Sequence, residues 1–130
     1  MQLHGNETPA YCKALSDYFL IKVFAAGPEF TPERVSEYDV EAIMLDAPDH
    51  SGVGGGTGRV SNWSVAASTA ERFAKLFLAG GLSADNVAEA IRVVKPYAVD
   101  ACSRPESAPG RKDHKRVRAF VEAVREAEAK

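Results

Sequence analysis

Leu76-Phe77-Leu78-Ala79-Gly80-Gly81 is a short apolar run that stops at a glycine pair, and a helical pattern opens just beyond it at Ser83. Its reading decides the fold because the same design recurs on either side. Ala42-Ile43-Met44-Leu45 stops at Asp46, and Tyr97-Ala98-Val99 stops at Asp100 before continuing into Cys102-Ser103. Each run ends in groups suited to handling a phosphorylated ligand. Chemistry placed where successive strands end, with helices between them, is how a parallel α/β barrel or a doubly wound sheet builds its site.

Outward from these runs the alternation continues. Met1 to Gly5 reads as the tail of a strand entering a turn. Thr8-Pro9 pairs an N-cap with proline at the first helical position and predicts a helix to about Asp17. Tyr18 to Ala25 is too continuously apolar for a half-exposed strand, so both of its faces are expected to be covered. Thr31-Pro32 repeats the cap-and-proline start for a short helix to about Tyr38. Ala47 to Gly58 reads as a glycine-rich loop, after which Asn62 is expected to cap a helix with Trp63, Ala66, Ala67, Ala70 and Phe73 inside. Ser83 is expected to cap a helix whose inner face is Val87, Ile91 and Val94. Tyr97–Ser103 reads as the last strand, and a final helix from about Asp113 carries Val117, Phe120, Val121 and Val124 on one face. No adjacent strand pair or hairpin is expected, and strict alternation demands parallel strands joined by right-handed crossovers.

The chain has 130 residues, enough for one domain with a real core and too few for two. A closed barrel of eight βα units usually takes about 250 residues, and a compact one about 200. Net charge is -2, which implies no general affinity for nucleic acid or for an anionic membrane. Cys12 and Cys102 lack metal-ligand or CxxC spacing, so neither zinc nor a disulfide framework is suggested, and a reducing cytoplasm is the simplest location. No apolar run approaches the roughly 20 residues that span a bilayer.

Asp46 closes an apolar strand at the mouth of the sheet, where partial desolvation suits a carboxyl to general-acid work; a loop cap or a surface ion pair is the alternative. Gly54-Gly55-Gly56-Thr57-Gly58 matches neither a P-loop nor a dinucleotide fingerprint, and reads either as a loop closing over a ligand or as plain surface. Ala79-Gly80-Gly81 is more specific. Glycine lets a phosphate approach the backbone amides, and the helix start that follows is expected to add unpaired N–H donors. Ser103-Arg104 would supply the second half of a phosphate site, unless Arg104 merely pairs with Glu106. Arg111, Lys112, His114, Lys115, Arg116 and Arg118 lack interleaved aromatics and read as a solvated helix face. Cys12 reads as packing.

Taken together, QLHG (2–5), IKVF (21–24), IMLD (43–46), GGTG (55–58), LAGGLSADNV (78–87), VDACS (99–103) and SAPGRKD (107–113) resemble the phosphoribosylanthranilate isomerases of tryptophan biosynthesis in both order and spacing. The resemblance implies a TIM (β/α)8 barrel, here incomplete, with about five parallel strands equivalent to the family's strands four to eight, in a single partial domain over residues 1–130. It implies an Amadori rearrangement of N-(5-phosphoribosyl)anthranilate to 1-(2-carboxyphenylamino)-1-deoxyribulose 5-phosphate, without cofactor or metal. Asp46 would be the general acid that protonates the ribose ring oxygen. Ala79, Gly80, Gly81, Ser103 and Arg104 would hold the substrate phosphate. Gly56, Thr57 and Gly58 would belong to the mobile loop after the acid-bearing strand, and His4 and Asp100 would face the substrate. The implied enzyme is cytoplasmic, a monomer or homodimer, in some arrangements fused to another tryptophan-pathway enzyme. Its only ligand is the small phosphorylated substrate; no nucleic acid or membrane is involved.

Two departures stand out. Arg104-Pro105 replaces the glycine and valine usual after the serine. The family's general base, a cysteine in a Cys-Gly-x-Thr motif on the first strand, has no counterpart here, nor has an anthranilate-binding arginine from the same early region. The chain is therefore expected to be the last five-eighths of such an enzyme, truncated in the gene or the sequence record, and opening on a methionine where the family commonly has valine. Alone it is expected to be unstable or oligomeric, with little or no activity. Two rival readings are a half-barrel that binds phosphorylated ligands without catalysis and another phosphosugar barrel such as indole-glycerol-phosphate synthase. The latter needs a catalytic lysine, for which Lys22 and Lys75 are the candidates.

Overall fold

The computed structural model describes residues 1–46, 57–101, 106–108 and 110–129. β1 (Gln2–Leu3), β2 (Ile21–Ala25), β3 (Ala42–Asp46), β4 (Leu76–Ala79) and β5 (Ala98–Val99) lie side by side in chain order in one sheet. Every neighbouring pair is parallel; Val23 stands opposite Met44, Met44 opposite Phe77, and Leu78 opposite Val99. Parallel neighbours need crossover connections. Here α1 (Pro9–Ala14), a 3₁₀ helix (Pro32–Glu37), α2 (Thr57–Arg72) and α3 (Val87–Val94) supply them. The strand order contains no reversal, whereas a doubly wound sheet turns back at a switch point.

The helices cover one face of this sheet. Phe24, Ile43, Leu45, Leu76 and Leu78 point to that side and join Cys12, Val35, Trp63, Ala66 and Val94 in the main core. Full burial of each such aliphatic or aromatic side chain stabilises the fold by roughly 1.5–3 kcal/mol. Because side chains alternate along a strand, the residues between them face the other way. Val23, Met44 and Ala79 form a smaller cluster there, flanked by Ile21 and Phe77.

Local signals explain the helix starts. Thr8 is extended and its Oγ1 accepts the Tyr11 N–H at 3.1 Å, with Pro9 opening α1 behind it. Asp113 caps α4 (His114–Glu128) by accepting the N–H groups of Lys115 and Arg116 at 2.9 and 3.3 Å. Thr31-Pro32 starts a helix as expected, but the Thr31 side chain makes no capping bond and the element is a 3₁₀ helix.

Four expectations need correction. α2 begins at Thr57, ahead of Asn62, so Thr57, Gly58 and Asn62 belong to the helix and Asn62 is not its cap. Helix propensity is a weak prior at such positions; tertiary anchoring of Trp63, Ala66 and Thr69, all buried, outweighs it. The apolar stretch from Tyr18 does not pair throughout. The strand starts only at Ile21, and Tyr18 and Phe19 remain 56% and 54% exposed. The last strand of the sheet is shorter than Tyr97–Ser103, and Cys102 and Ser103 lie outside the described residues. Finally, a hairpin does exist: β6 (Glu106–Ala108) pairs antiparallel with β7 (Arg111–Lys112), and Gly110 takes the left-handed conformation at φ 78° in the turn. The Pro-Gly pair at 109–110 was the available signal, obscured because neither strand alternates apolar and polar residues.

α4 packs beside α3, with Phe120 against the main core. Val117 and Val121, on the same apolar stripe, stay largely exposed. The basic residues 111, 112, 114, 115, 116 and 118 are all exposed, as a solvated face requires.

At the other end of α3, Lys95 ends the helix in the left-handed conformation, φ 54° and ψ 52°, its N–H donated to the Ile91 carbonyl at 2.8 Å. That conformation costs a residue with a Cβ roughly 1–2 kcal/mol. Lys95→Gly is therefore expected to raise the unfolding free energy by about 1 kcal/mol, read as a higher urea midpoint at unchanged m; an unchanged or lower midpoint would contradict the assignment.

Candidate functional site at the strand ends

Asp46 is the last residue of β3. It shares a face with Met44, the face turned away from the helices, and it stands in register between Ala25 and Ala79. Its carbonyl accepts the Ala26 N–H at 2.9 Å, which ties the end of β3 to the end of β2. The side chain is half-buried. His4 directly follows Leu3, whose side chain lies in the helix-side core, so alternation turns His4 to the Asp46 face. Both residues line one cleft of about 780 Å³, together with Gly5, Val23, Ala25 and Phe30.

Ala79, Gly80, Gly81 and Asp100 do not border that cleft; they lie farther along the same rim, at the ends of β4 and β5. Asp100 is exposed, and its N–H is donated to the Leu78 carbonyl at 2.8 Å, which holds it against β4. Gly80 and Gly81 have φ of 100° and 65°. Residues with a Cβ are strained in that region, so the pair is what lets the chain turn sharply off β4. Thr57 and Gly58 open α2. Gly56, Ser103 and Arg104 lie outside the described residues, as does the Cys102 thiol.

The turn after Gly81 depends on a residue that sequence reasoning missed. Asn86 is buried, its Oδ1 accepts the Ser83 N–H at 2.8 Å, and its Nδ2 donates to the Gly81 carbonyl at 3.0 Å. One amide side chain thereby fixes both ends of the Gly81–Ser83 bend. Ser83 does not cap α3 as expected. Its Oγ accepts the Asp85 N–H at 3.3 Å, and its carbonyl accepts the N–H groups of Asn86 and Val87. The amides of Ser83, Asp85, Asn86 and Val87 are thus bonded within the turn itself. Asparagine immediately ahead of the Val87 stripe was the available clue, since such residues favour bonds to nearby backbone.

Lys22 borders the cleft that His4 and Asp46 line, but its ammonium is taken up by neighbouring acceptors, and Lys75 does not border that cleft. Lys22 alternates with Val23 and faces the helices, where its ammonium meets the carbonyls of Gly5 and Val23 at 3.0 and 3.1 Å and the Glu7 carboxylate at 3.3 Å. Lys75 precedes β4 at the opposite end of the sheet. The Gly5 N–H bond, with Lys22 beside it, holds the Glu7 carboxyl below its ordinary pKa against the opposing effect of burial. Cys12 is fully buried, and burial pushes its thiol pKa up, which fits packing and not nucleophilic use. Among the described residues no three His, Cys, Asp or Glu side chains gather as metal ligands, and no helix is long and apolar enough to cross a membrane.

Residues 1–123 match the family model described as N-(5'phosphoribosyl)anthranilate (PRA) isomerase. The N-(5'-phosphoribosyl)anthranilate isomerase of Trichlorobacter lovleyi is 45% identical over 127 residues, covering 98% of this chain and 61% of that protein. The one from Geobacter sulfurreducens is 47% identical over 121 residues, covering 93% and 58%. Among solved structures, phosphoribosyl anthranilate isomerase from Thermococcus kodakaraensis superposes with a TM-score of 0.79 at 34% identity, covering 95% of this chain and 62% of that one. A phosphoribosyl anthranilate isomerase in complex with reduced 1-(o-carboxyphenylamino)-1-deoxyribulose 5-phosphate gives 0.77 at 34% identity, covering 95% and 58%. The chain thus spans about three-fifths of the length of the relatives it matches.

Removing the Asn86 amide leaves the half-buried Gly81 carbonyl and Ser83 N–H without this partner. Asn86→Ala is expected to lower the unfolding free energy by about 1–3 kcal/mol and to accelerate hydrogen exchange at Ser83. Unchanged exchange there would show that the bend does not rely on Asn86.

Proposed function

The chain belongs to the N-(5'-phosphoribosyl)anthranilate isomerase family, and from that premise we propose that it carries the acid and phosphate-binding part of an enzyme that rearranges N-(5'-phosphoribosyl)anthranilate to 1-(2-carboxyphenylamino)-1-deoxyribulose 5-phosphate in tryptophan biosynthesis. The observation that carries this reading is the position of Asp46. It ends a central strand, on the face opposite the helices, in a cleft that His4 also lines, one strand from the left-handed Gly80-Gly81 turn.

In the proposed reaction the Asp46 carboxyl gives its proton to the ribose ring oxygen. The anilino nitrogen lone pair forms C=N to C1 as the C1–O bond breaks, and the ring opens to a Schiff base. Loss of the C2 proton then gives an enolamine that tautomerises to the ketose. No cofactor enters this sequence, because the nitrogen itself is the electron sink. His4 and Asp100 face the opened sugar. The Gly80 and Gly81 amides, with Ala79 behind them, hold the phosphate, and Ser103 and Arg104 complete that cradle. Thr57 and Gly58, as the first residues of α2, lie where that helix meets the substrate side, and Gly56 immediately precedes them in the sequence. The base that takes the C2 proton is the family's Cys-Gly-x-Thr cysteine, which these 130 residues do not contain.

We further infer that residues 1–130 are a partial (β/α)8 barrel domain. An unreversed parallel order with helices on one face is how a barrel wall is wound. The half-covered Ile21 and Phe77 on the inner face and the exposed Val117 and Val121 on α4 fit further βα units closing onto them. The completed enzyme would act in the cytoplasm as a monomer or homodimer; a relative from Thermotoga maritima is described as dimeric.

Asp46→Asn keeps the shape and removes the transferable proton. In the completed enzyme it is expected to lower kcat by about 10²–10⁴-fold, with KM for N-(5'-phosphoribosyl)anthranilate little changed. Turnover retained at the level of the unsubstituted enzyme would exclude Asp46 as the acid.

A further inference from the structure

Lys22 is 3% exposed, and an ammonium buried so deeply costs several kcal/mol unless its donors are met. Its three acceptors are informative because of where they lie. One is the Val23 carbonyl in its own strand; the other two, the Gly5 carbonyl and the Glu7 carboxylate, belong to the loop that leads from His4 into α1. The same Glu7 oxygen also accepts the Gly5 N–H at 2.9 Å, and the Tyr38 hydroxyl, from beyond the 3₁₀ helix, donates to the Glu7 carbonyl at 3.0 Å. The Phe24 and Tyr38 rings pack edge to face 5.1 Å apart and stand 5.2 and 5.9 Å from the ammonium. A cation over ring faces is attracted by their electrostatic field, more so where water is excluded.

Glycine at position 5 belongs to this arrangement. A Cβ there would come within 2.5 Å of Glu7 Oε2, so the carboxylate that Lys22 and the Gly5 N–H hold would have to shift. The loop after β1 is thus held from the helix side by a charged clamp anchored on β2, while the residue it carries, His4, emerges on the substrate side.

We propose that Lys22, acting through Glu7 and Gly5 and braced by Tyr38, is a positioning residue that sets His4 against the substrate rim. It touches no reacting atom. The inference rests on the proposed isomerase reading for its kinetic consequence, but its structural half stands on the clamp alone.

Two readouts test it. In the chain itself, Lys22→Met is expected to speed hydrogen exchange at the Gly5 amide at least tenfold while the β3 amides of Met44 and Leu45 keep their protection. Unaltered exchange at Gly5, or equal loss in β3, overturns the clamp. Tyr38→Phe, which leaves the buried charges paired, serves if Lys22→Met does not fold, with the same criteria at a smaller factor. In the completed enzyme turning over N-(5'-phosphoribosyl)anthranilate, Lys22→Met is expected to lower kcat/KM about tenfold, and to have little further effect when His4 is already alanine. The same tenfold loss in both backgrounds would mean that Lys22 does not act through His4. If the unsubstituted enzyme does not turn this substrate over, the functional reading fails, and the exchange result still decides the clamp.

Discussion

The parallel register of the five strands is the constraint on which the rest depends. Side chains alternate along every strand, and neighbouring strands are paired so that Val23, Met44 and Phe77, then Ala25, Asp46 and Ala79, fall into rows. One face of the sheet is thereby committed to the helices and the other to the rim. A slip of one residue in β3 would send Asp46 into the core and Leu45 to the opposite face. The apolar residues that the helices bury, Ile43 and Leu45 above all, keep that slip from happening. The stability of the core and the placement of Asp46 are one and the same choice of register.

Two polar groups below the rim show how loops are fixed once the strands are. Lys22 ties the loop after β1 to its own strand through the Gly5 and Val23 carbonyls and the Glu7 carboxylate, and the buried Asn86 side chain bonds backbone on both sides of the bend after β4. Buried polar groups are tolerated only when satisfied, so both loops are held with little freedom. Such anchoring suits a rim on which side chains from several strands are presented together.

Much of this fold was legible in the amino-acid order. Runs of three or four apolar residues ending in Asp46, Gly80-Gly81 and Asp100 announce buried parallel strands, and Thr8-Pro9, Thr31-Pro32 and Asp113 mark helix starts by a local mechanism that needs no tertiary information. Less was legible where tertiary contacts decide. The start of α2 ahead of Asn62 reflects burial of Trp63 and Ala66, and the exposure of Tyr18 and Phe19 reflects where β2 finds its partner. The site divides the same way. Asp46 and the glycine pair are visible because they interrupt a pattern, whereas Asn86 and the Lys22 clamp are built from long-range bonds that no local spacing encodes. Lys22 in particular sits inside a strand pattern as an oddity until its partners, Gly5 and Glu7, are seen to be spatial neighbours.

The central claim is that the ends of successive strands converge on one phosphorylated sugar. The most direct test is a crystal structure of the completed enzyme with reduced 1-(o-carboxyphenylamino)-1-deoxyribulose 5-phosphate bound. The account predicts the Asp46 carboxyl within hydrogen-bond distance of the sugar chain, His4 on the same side, and the phosphate on the Gly80 and Gly81 amides. A ligand bound elsewhere, or one whose phosphate lies away from the β4 turn while Asp46 faces solvent, would contradict it.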